Sequence, residues 1–298
     1  MTEDSGFFSE PLSEGQDAGT MELIHRSRGG WSEIWRTGRN GRYIVLKALK
    51  QEFRGLAMYE SLLRKEAEIT SSLSHPCIRE AKGVTNVPGL GSAIEMEWID
   101  GRPLGEYIEA GGIPKSTALR LSGQLCDAVS YLHSRQTVHR DIKPENILVT
   151  HNGDNLKLID FGLSDADSWA TLKGSCGTPS FAAPEVLEGG KPGNRSDIWS
   201  MGKVLRLLLP GKRAVTAKCM ASDPSKRYAD ASQVKAALHR KSPAPAVAAI
   251  AVLLLGAALA VFRPKAPAEV QDEQAIESPE VIDELFRQAT QMIEDQEG

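Results

Sequence analysis

The sequence predicts an α+β fold with a β-rich first half and a helical second half. Between Met21 and about Ile99, short apolar and β-branched runs are separated by turns and interrupted by one amphipathic helix at about 56–73. Ser116 is the predicted N-cap of a long helix, and from there onward apolar residues recur at helical spacing. Asn152-Gly153 then separates two short apolar runs, which is a strong hairpin signal. We therefore expect the secondary structure to change from β-rich to helical along the chain.

Composition narrows the class of protein. With 298 residues and 41% hydrophobic content, the chain can bury a sizeable core. A formal net charge of −4 gives no basic field, so we expect no nucleic-acid partner. The four cysteines form no paired motif, which indicates a reducing compartment. Residues 1–20 are polar and acidic, and we interpret them as a flexible segment rather than a secretory signal.

The most informative stretch is His139–Asn146, which is followed after the hairpin by Asp160-Phe161-Gly162. Two carboxylates and an amide at this spacing can hold a base and a divalent metal beside a nucleotide. The stretch resembles the catalytic loop and metal-binding motif of the eukaryotic-type protein kinase family, Ser/Thr type. The resemblance covers residues 21–238. It implies the two-lobed protein kinase fold, with an N-lobe at about 21–98 and a C-lobe at about 102–238.

The resemblance also implies roles for the residues of this stretch. Asp141 would orient the substrate hydroxyl, and Lys143 would steady the transferring phosphoryl group. Asn146 and Asp160 would supply oxygen ligands to Mg²⁺, with Mn²⁺ as an alternative ion. The expected nucleotide is ATP.

A turn after the first strand resembles the glycine-rich hairpin that covers the nucleotide phosphates. The family's three glycines fall on Ser27, Gly29 and Ser32, so only the middle glycine is kept. Gly30 still allows a tight backbone, and Ile34 follows on the next strand. ATP affinity is the property that this departure affects most.

Two further residues resemble the family's phosphate-gripping pair. Lys47 ends the apolar run Ile44–Lys47, where a lone lysine would usually extend to water. The resemblance makes it the strand lysine, and Lys50 is interpreted as a solvated lysine. Glu66 lies ten residues before Pro76, where the family places the paired helix glutamate. Glu68 is the competing candidate.

The run from Ala93 to Gly101 resembles the kinase hinge. Met96 falls at the gatekeeper position, and the residues from Glu97 to Ile99 would offer backbone groups to adenine. Such contacts use the main chain, so the side chains there carry little information.

The segment after Gly162 resembles an activation segment. Gly177-Thr178-Pro179 and Ala183-Pro184-Glu185, like Lys143, are marks of serine/threonine specificity in the family. Arg140 resembles the arginine that clamps an activating phosphate. The candidate regulatory hydroxyls are those of Thr171, Ser175 and Thr178.

The C-lobe carries two structural motifs and one shortened connection. Asp197 opens a helix predicted to run through Leu209, and in the family it braces the catalytic loop. Arg227 would pair with Glu185. Residues 212–222 have room for about one helix of three turns, where the family normally has two helices and a long loop. His133 has no partner at metal-ligand spacing and is interpreted as structural or exposed.

A second segment lies beyond the predicted domain. Residues 239–245 form a linker, and residues 246–262 are uncharged and apolar over about 26 Å of helix, the short end of a membrane span. A buried core helix is the alternative. Residues 263–298 form an acidic tail with an amphipathic helix. Because ATP is cytoplasmic, we expect a single-pass protein with the kinase domain in the cytoplasm, as in membrane-anchored eukaryotic-like kinases of bacteria.

Three functions are compatible with these features. The first is a Ser/Thr protein kinase that phosphorylates proteins and itself, with a homodimer for phosphorylation in trans as a further partner. The second is a pseudokinase that acts as a membrane-tethered scaffold, suggested by the altered glycine hairpin and the shortened C-lobe. The third, a small-molecule kinase, is disfavoured by Gly177-Thr178-Pro179 and Ala183-Pro184-Glu185. The five catalytic positions favour the enzyme: Lys47, Glu66, Asp141, Asn146 and Asp160.

Overall fold

The computed structural model describes residues 21–26, 30–161 and 180–240. The described residues up to His239 belong to one compact unit. Within these ranges, no helix is both long enough and apolar enough to cross a membrane. The predicted segments 1–20, 246–262 and 263–298 lie outside the described residues.

The first lobe is a five-stranded antiparallel sheet with one helix packed on it. The strand order is β1-β2-β3-β5-β4. β3 is central and apolar on both faces, which explains why nearly all of its residues are buried. The strands are β1 (Glu22–Arg26), β2 (Ser32–Arg39), β3 (Arg42–Leu49), β4 (Ala81–Val87) and β5 (Gly91–Glu97).

Helix α1 (Ala57–Ser71) follows a 3₁₀ turn at Gln51–Phe53 and lies close to the predicted range of 56–73. Leu62, Leu63 and Ala67 lie on its buried face together with Glu66, because residues four apart share a helix face. The helix ends where the N–H of Ser72 bonds to the carbonyl of Ile69. The polar Glu66 is therefore held inside an otherwise apolar interface.

A second, smaller sheet begins the other lobe and confirms the predicted hairpin. It contains β6 (Gly101–Pro103), β7 (Ile147–Thr150) and β8 (Leu156–Leu158), all antiparallel. Gly153 takes a positive φ of 82° in the turn between β7 and β8, which glycine adopts without strain. The N–H of Ile159 bonds to the carbonyl of Asn146 at 2.9 Å. The hairpin thus brings the two predicted metal ligands to one end of the sheet.

The rest of this lobe is helical, as predicted. Its largest apolar cluster lies between the long helices and the second sheet. Short 3₁₀ turns occur at Pro144–Asn146 and Pro224–Lys226. The helices of the described ranges are α2 (Leu104–Glu109), α3 (Lys115–Ser134), α4 (Pro184–Leu187), α5 (Asn194–Leu208), α6 (Arg213–Cys219) and α7 (Ala231–His239).

Two local predictions require correction. Ser116 does not cap α3, because the carbonyl of Pro114 accepts the N–H of Ala118 and the helix starts at Lys115. The shortened connection after α5 holds a helix of seven residues, about two turns rather than three.

The hydroxyl of Ser196 accepts the N–H of Gly193 at 2.8 Å and so caps α5.

The contact between α5 and α6 depends on the missing side chain of Gly202. A Cβ at this position would lie 2.5 Å from the Cβ of Cys219, closer than two carbon atoms approach. Gly123 in α3 differs, because its nearest neighbours would be the ends of long side chains at 3.6 Å and beyond. The two helical glycines form a matched pair.

We expect Gly202→Ala to lower the free energy of unfolding by about 1–3 kcal/mol through overpacking. Gly123→Ala should leave it unchanged or raise it by up to about 1 kcal/mol, because alanine is the better helix former. Urea unfolding followed by circular dichroism measures both changes. Equal effects of the two substitutions would contradict the close approach of α5 and α6.

Candidate active site

The cleft between the lobes contains a buried lysine held by two carboxylates. Lys47 Nζ lies 2.7 Å from Glu66 Oε1 and 2.7 Å from Asp160 Oδ1. These three residues come from β3, α1 and the segment after β8. Glu66, rather than the competing Glu68, turns towards the lysine, because Glu66 is on the buried face of α1 and Glu68 is exposed.

Burial and neighbouring charges shift the pKa values of Lys47 and Glu66 in opposite directions. Burial alone would lower the pKa of Lys47, but the carboxylates of Asp160 and Glu66 raise it above its ordinary value. Burial raises the pKa of Glu66, and Lys47 partly offsets this effect. The lysine is therefore a permanent cation at neutral pH. A fixed cation of this kind can bind phosphate oxygens.

The predicted catalytic loop forms a second connected group. Asp141 Oδ2 accepts hydrogen bonds from Lys143 Nζ and from Asn146 Nδ2, both at 2.8 Å. Asn146 Nδ2 also donates to the carbonyl of Asp141 at 2.9 Å. Burial would lower the pKa of Lys143, but Asp141 raises it above its ordinary value. The carboxylate is thus oriented by an amide and an ammonium group.

The predicted metal ligands fit a hard divalent cation. The amide nitrogen of Asn146 is engaged with Asp141, which leaves its oxygen as the donor atom. Asp160 adds a carboxylate from the neighbouring segment, and the Ile159–Asn146 backbone hydrogen bond joins the two. One carboxylate and one amide oxygen suit Mg²⁺, which commonly takes its remaining ligands from phosphates and water. The described residues contain no group of three or more His, Cys, Asp or Glu side chains that could hold a metal.

Asp197, in the first turn of α5, fixes the backbone of the catalytic loop. Its Oδ2 accepts the N–H of His139 at 2.8 Å, and its Oδ1 accepts the N–H of Arg140 at 2.9 Å. The same carboxylate bonds to His133 Nε2 at 3.0 Å, which links α5 to α3. His133 is therefore structural, but it belongs to the support of the site.

Two residues of the site have left-handed backbone conformations. Arg140 has a φ of 68° and Asp160 a φ of 66°, values that cost free energy in residues other than glycine. The bond to Asp197 holds the first, and the pairing with Lys47 involves the second. Next to them, His139 donates from Nε2 to the carbonyl of Ile159 at 3.2 Å, and burial lowers its pKa. These contacts fix the relative positions of Asp141 and Asp160.

The predicted hinge connects the lobes at the end of β5. Met96 is buried and pairs in register with Val45 on β3. Glu97 Oε1 accepts from Lys157 Nζ at 2.6 Å. Ile99 packs against Leu148, a buried residue that the sequence reasoning did not single out. The hinge is thus anchored to both sheets.

The glycine hairpin is described in part. Ser27 and Gly29 lie outside the described residues, as do Thr171, Ser175 and Thr178 of the activation segment. Gly30 is partly buried, Ser32 begins β2, and Ile34 lies opposite Lys47 in the sheet. Lys50 is not the solvated lysine that was predicted, because it is 9% exposed at the end of β3.

Arg79 is a buried charge that the sequence analysis missed. It is 5% exposed, and its Nε has no hydrogen-bond partner. Burial lowers its pKa to about 10, while Glu97 and Asp160 act in the opposite direction. The sequence signal for its burial was its position directly after the apolar Ile78, two residues before strand β4. Retaining such a charge costs stability.

Comparisons with known proteins identify the family to which this geometry belongs. The family model described as "Protein kinase domain" matches residues 28–271. Serine/threonine-protein kinase PrkC of Bacillus subtilis is 35% identical over 180 residues, covering 57% of this chain and 27% of PrkC. Calcium/calmodulin-dependent protein kinase type 1B of Rattus norvegicus is 36% identical over 189 residues, covering 61% of this chain and 54% of the relative. The chain therefore spans about half or less of the length of these relatives.

A solved structure supports the fold. The PknI kinase domain of Mycobacterium tuberculosis superposes with a TM-score of 0.56 at 19% sequence identity. The alignment covers 76% of this chain and 98% of that domain. The expected two-lobed kinase fold is confirmed at this level.

The Glu185–Arg227 pair gives a pH-dependent test of the C-lobe. Arg227 donates from both Nη atoms to the two carboxylate oxygens of Glu185 at 2.7 Å. Burial alone would raise the pKa of Glu185, but these hydrogen bonds lower it below its ordinary value of 4.5. The pair therefore adds stability above pH 4.5 that is lost as the pH falls through the lower folded-state pKa.

We expect Glu185→Gln to lower the unfolding free energy at pH 7 by about 3 kcal/mol, because Arg227 stays buried without a counter-charge. Its stability should also change less than that of the wild type below pH 4.5. Glu188→Gln, at the exposed end of the same helix, is the matched control and should behave as the wild type. Denaturant unfolding at a series of pH values measures this. Parallel curves for Glu185→Gln and the wild type would refute the assignment.

Proposed function

Because this chain belongs to the protein kinase family, we propose that it transfers the γ-phosphate of ATP to serine and threonine hydroxyls of proteins, including its own. The observation that carries the proposal is that two groups of charged side chains lie in one cleft, linked by the backbone hydrogen bond between Ile159 and Asn146. Lys47, Glu66 and Asp160 form one group, and the catalytic loop residues form the other.

The geometry supports a division of labour among these residues. Lys47 is held by two carboxylates and is positioned to bind nucleotide phosphates. Asp141 faces Lys143, so a hydroxyl entering beside them would meet a base and a cation together. Asn146 and Asp160 would hold Mg²⁺, which supplies charge neutralisation at the phosphates. Positioning and electrostatics account for most of the acceleration in this reaction class.

Serine/threonine specificity is supported by three features. Relatives with the same domain are named serine/threonine-protein kinases. Lys143 stands at the position where the family resemblance makes a lysine a mark of serine/threonine specificity. Glu185 belongs to Ala183-Pro184-Glu185, another family mark of this specificity, and Arg227 holds it in place.

We further propose that the chain is a single-pass membrane protein with its kinase domain in the cytoplasm. The support is the uncharged apolar stretch 246–262, flanked by Arg240-Lys241 and Arg263. Autophosphorylation of Thr171 or Ser175 is the proposed activating step, and a homodimer is the simplest arrangement for it in trans. Arg140 is the proposed clamp for that phosphate.

The catalytic proposal predicts loss of turnover in two substitutions that spare the apolar core. Lys47→Met removes the phosphate-binding cation, and Asp141→Asn removes the group that orients the hydroxyl. Each should lower kcat by roughly 10²–10⁴-fold. Autophosphorylation with Mg-ATP, followed by mass spectrometric mapping of residues 162–183, provides the measurement.

Lys82→Met is the matched control, because this lysine is exposed and pairs with Glu95, which is outside the group of Lys47, Glu66 and Asp160. It should retain wild-type turnover. A purified wild-type chain that binds no Mg-ATP and phosphorylates neither itself nor a generic basic protein would refute the enzyme. The scaffold function would then be preferred.

The membrane proposal predicts that the chain sediments with membranes and resists extraction by salt and alkaline carbonate. Protease added outside intact cells should remove the acidic tail and leave the kinase domain. A soluble chain after fractionation would refute the span. A tail that is protected until the cells are lysed would refute the orientation.

A further inference from the structure

Three helix ends lie together at one end of the second lobe. The bond between His133 and Asp197 joins the last turn of α3 to the first turn of α5, so these two packed helices run in opposite directions. Helix α6 then turns back along α5, because its last residue, Cys219, meets Gly202 in the middle of α5. The start of α3, the end of α5 and the start of α6 are therefore neighbours.

Helix α7 ends in the same part of the lobe. Asp127 in the middle of α3 pairs with Lys235 of α7 at 2.7 Å. Earlier in α3, a Cβ on Gly123 would lie 3.7 Å from the imidazole of His239, the last residue of α7. Later residues of α7 thus meet earlier residues of α3, and the two helices are antiparallel. The chain leaves the kinase domain beside the first half of α3.

This end of the lobe is strongly basic. Residues 203–218 contain five lysines and arginines and no aspartate or glutamate, although the whole chain has a formal net charge of −4. Within the described ranges, no carboxylate forms an ion pair with Arg206 or Arg213, and Leu207 beside them is 48% exposed. We call this surface the basic end, and its cations, all at least partly exposed, are Lys115, Arg206, Lys212 and Arg213.

The helices that form the basic end carry little opposing charge. Asp127 is the one acidic residue in α3, α6 and α7, and it is paired with Lys235. Asp197 lies in the first turn of α5, at the opposite end of that helix. Charges act over about 10 Å at physiological salt, so the basic end presents a positive surface of its own. Such a surface attracts an anionic partner.

The chain brings an anionic surface close to the basic end. On the proposed topology, the apolar stretch that begins at residue 246 enters the bilayer from the cytoplasm. Residue 246 follows His239 by seven positions, which is at most about 25 Å of extended chain. The end of α7 therefore stays near the lipid headgroups. Cytoplasmic leaflets are anionic and attract lysines and arginines next to a span.

We propose that the basic end is a docking surface for the anionic lipid headgroups of the membrane. The proposal rests on the proposed membrane span, which keeps this surface close to the bilayer. Arg206 and Arg213 contact headgroup phosphates, and Leu207 enters the interface between them.

Docking at this end also determines where the cleft faces. The catalytic loop follows the opposite end of α3, and at 1.5 Å per residue the 20 residues of that helix are about 30 Å long. The loop is therefore held away from the headgroups. Its substrates are soluble proteins rather than proteins embedded in the bilayer.

Lysine acetylation of the full chain in nanodiscs tests the docking. Mass spectrometry gives the labelling rate of each lysine in discs of phosphatidylcholine alone and in discs that also contain phosphatidylglycerol. In the anionic discs, Lys115 and Lys212 should react at least about threefold more slowly. High salt should remove this difference, because it screens the charges.

Two exposed lysines away from the basic end serve as internal references. Lys82 lies in the first lobe, on β4. Lys226 belongs to a turn that Arg195 holds at the start of α5, where Arg195 donates to the carbonyl of Ser225 at 2.9 Å. Both lysines should react at the same rate in the two kinds of disc, because they lie beyond the range of the headgroup charges.

The variant Arg206→Gln with Arg213→Gln removes two cations and leaves every lysine as a probe. In this variant, phosphatidylglycerol should no longer slow the labelling of Lys115 and Lys212. The matched control is Arg42→Gln with Arg64→Gln, which removes the same charge from exposed positions of the first lobe and should keep the slowing. All four arginines are exposed, so thermal unfolding followed by circular dichroism should be unchanged in both variants.

Two results would overturn the docking surface. Equal slowing of Lys82 and Lys226 would show that lipid binding is not confined to the basic end. Slow labelling of Lys115 and Lys212 that is the same in neutral and anionic discs, and that salt relieves, would show that an acidic segment such as residues 263–298 covers the basic end instead.

Failure of the membrane span is distinguishable from failure of the docking surface, and neither measurement requires catalysis. A chain that stays soluble after fractionation refutes the span. The basic end then predicts that the soluble chain sediments with vesicles of phosphatidylglycerol but not with vesicles of phosphatidylcholine. Arg206→Gln with Arg213→Gln should abolish this sedimentation. Equal sedimentation with both kinds of vesicle, or with neither, would refute the docking surface.

Discussion

The buried ammonium group of Lys47 is the interaction on which the rest of the site depends. A cation removed from water is tolerated only with close counter-charges, and two carboxylates at 2.7 Å provide them. One comes from α1 and the other from the segment after β8. The cost of the buried charge therefore fixes the distance from α1 and β3 of the first lobe to Asp160, the predicted metal ligand after β8.

The second lobe meets a comparable constraint through Asp197. Its carboxylate accepts two backbone N–H groups and contacts His133, so it holds the loop that carries Asp141 against two helices. Arg140 keeps a left-handed backbone under this restraint. The Ile159–Asn146 bond then joins the loop to the aspartate that pairs with Lys47. The two constraints meet at the hairpin between β7 and β8.

Charge is distributed unevenly over this framework. Lys47 and Arg227 are buried with carboxylate partners, whereas Arg79 is buried with an unsatisfied Nε. A buried polar atom without a hydrogen bond costs stability, so the Nε atom of Arg79 is a local cost.

The sequence by itself determined the features that depend on local pattern and spacing. Short apolar runs, helical periodicity and the Asn152-Gly153 turn predicted the β-rich first part, the helical second part and the hairpin, because hydrophobic periodicity is read directly from the chain. The motif around Asp141 defined the candidate catalytic residues. Helix ends were less well determined, because Pro114, rather than Ser116, supplied the first carbonyl of α3.

Only the tertiary structure decided which charges and rings are buried. The sequence predicts a solvated Lys50, leaves His133 either structural or exposed and does not single out Arg79, since burial depends on elements distant along the chain. Trp31 is the clearest case. Sheet alternation counted back from Ile34 would place it on the opposite face, but β2 starts at Ser32, and Trp31 packs in the cluster with residues of α1. No local pattern encodes that direction, because it is set by the packing of a helix 26 residues further along the chain.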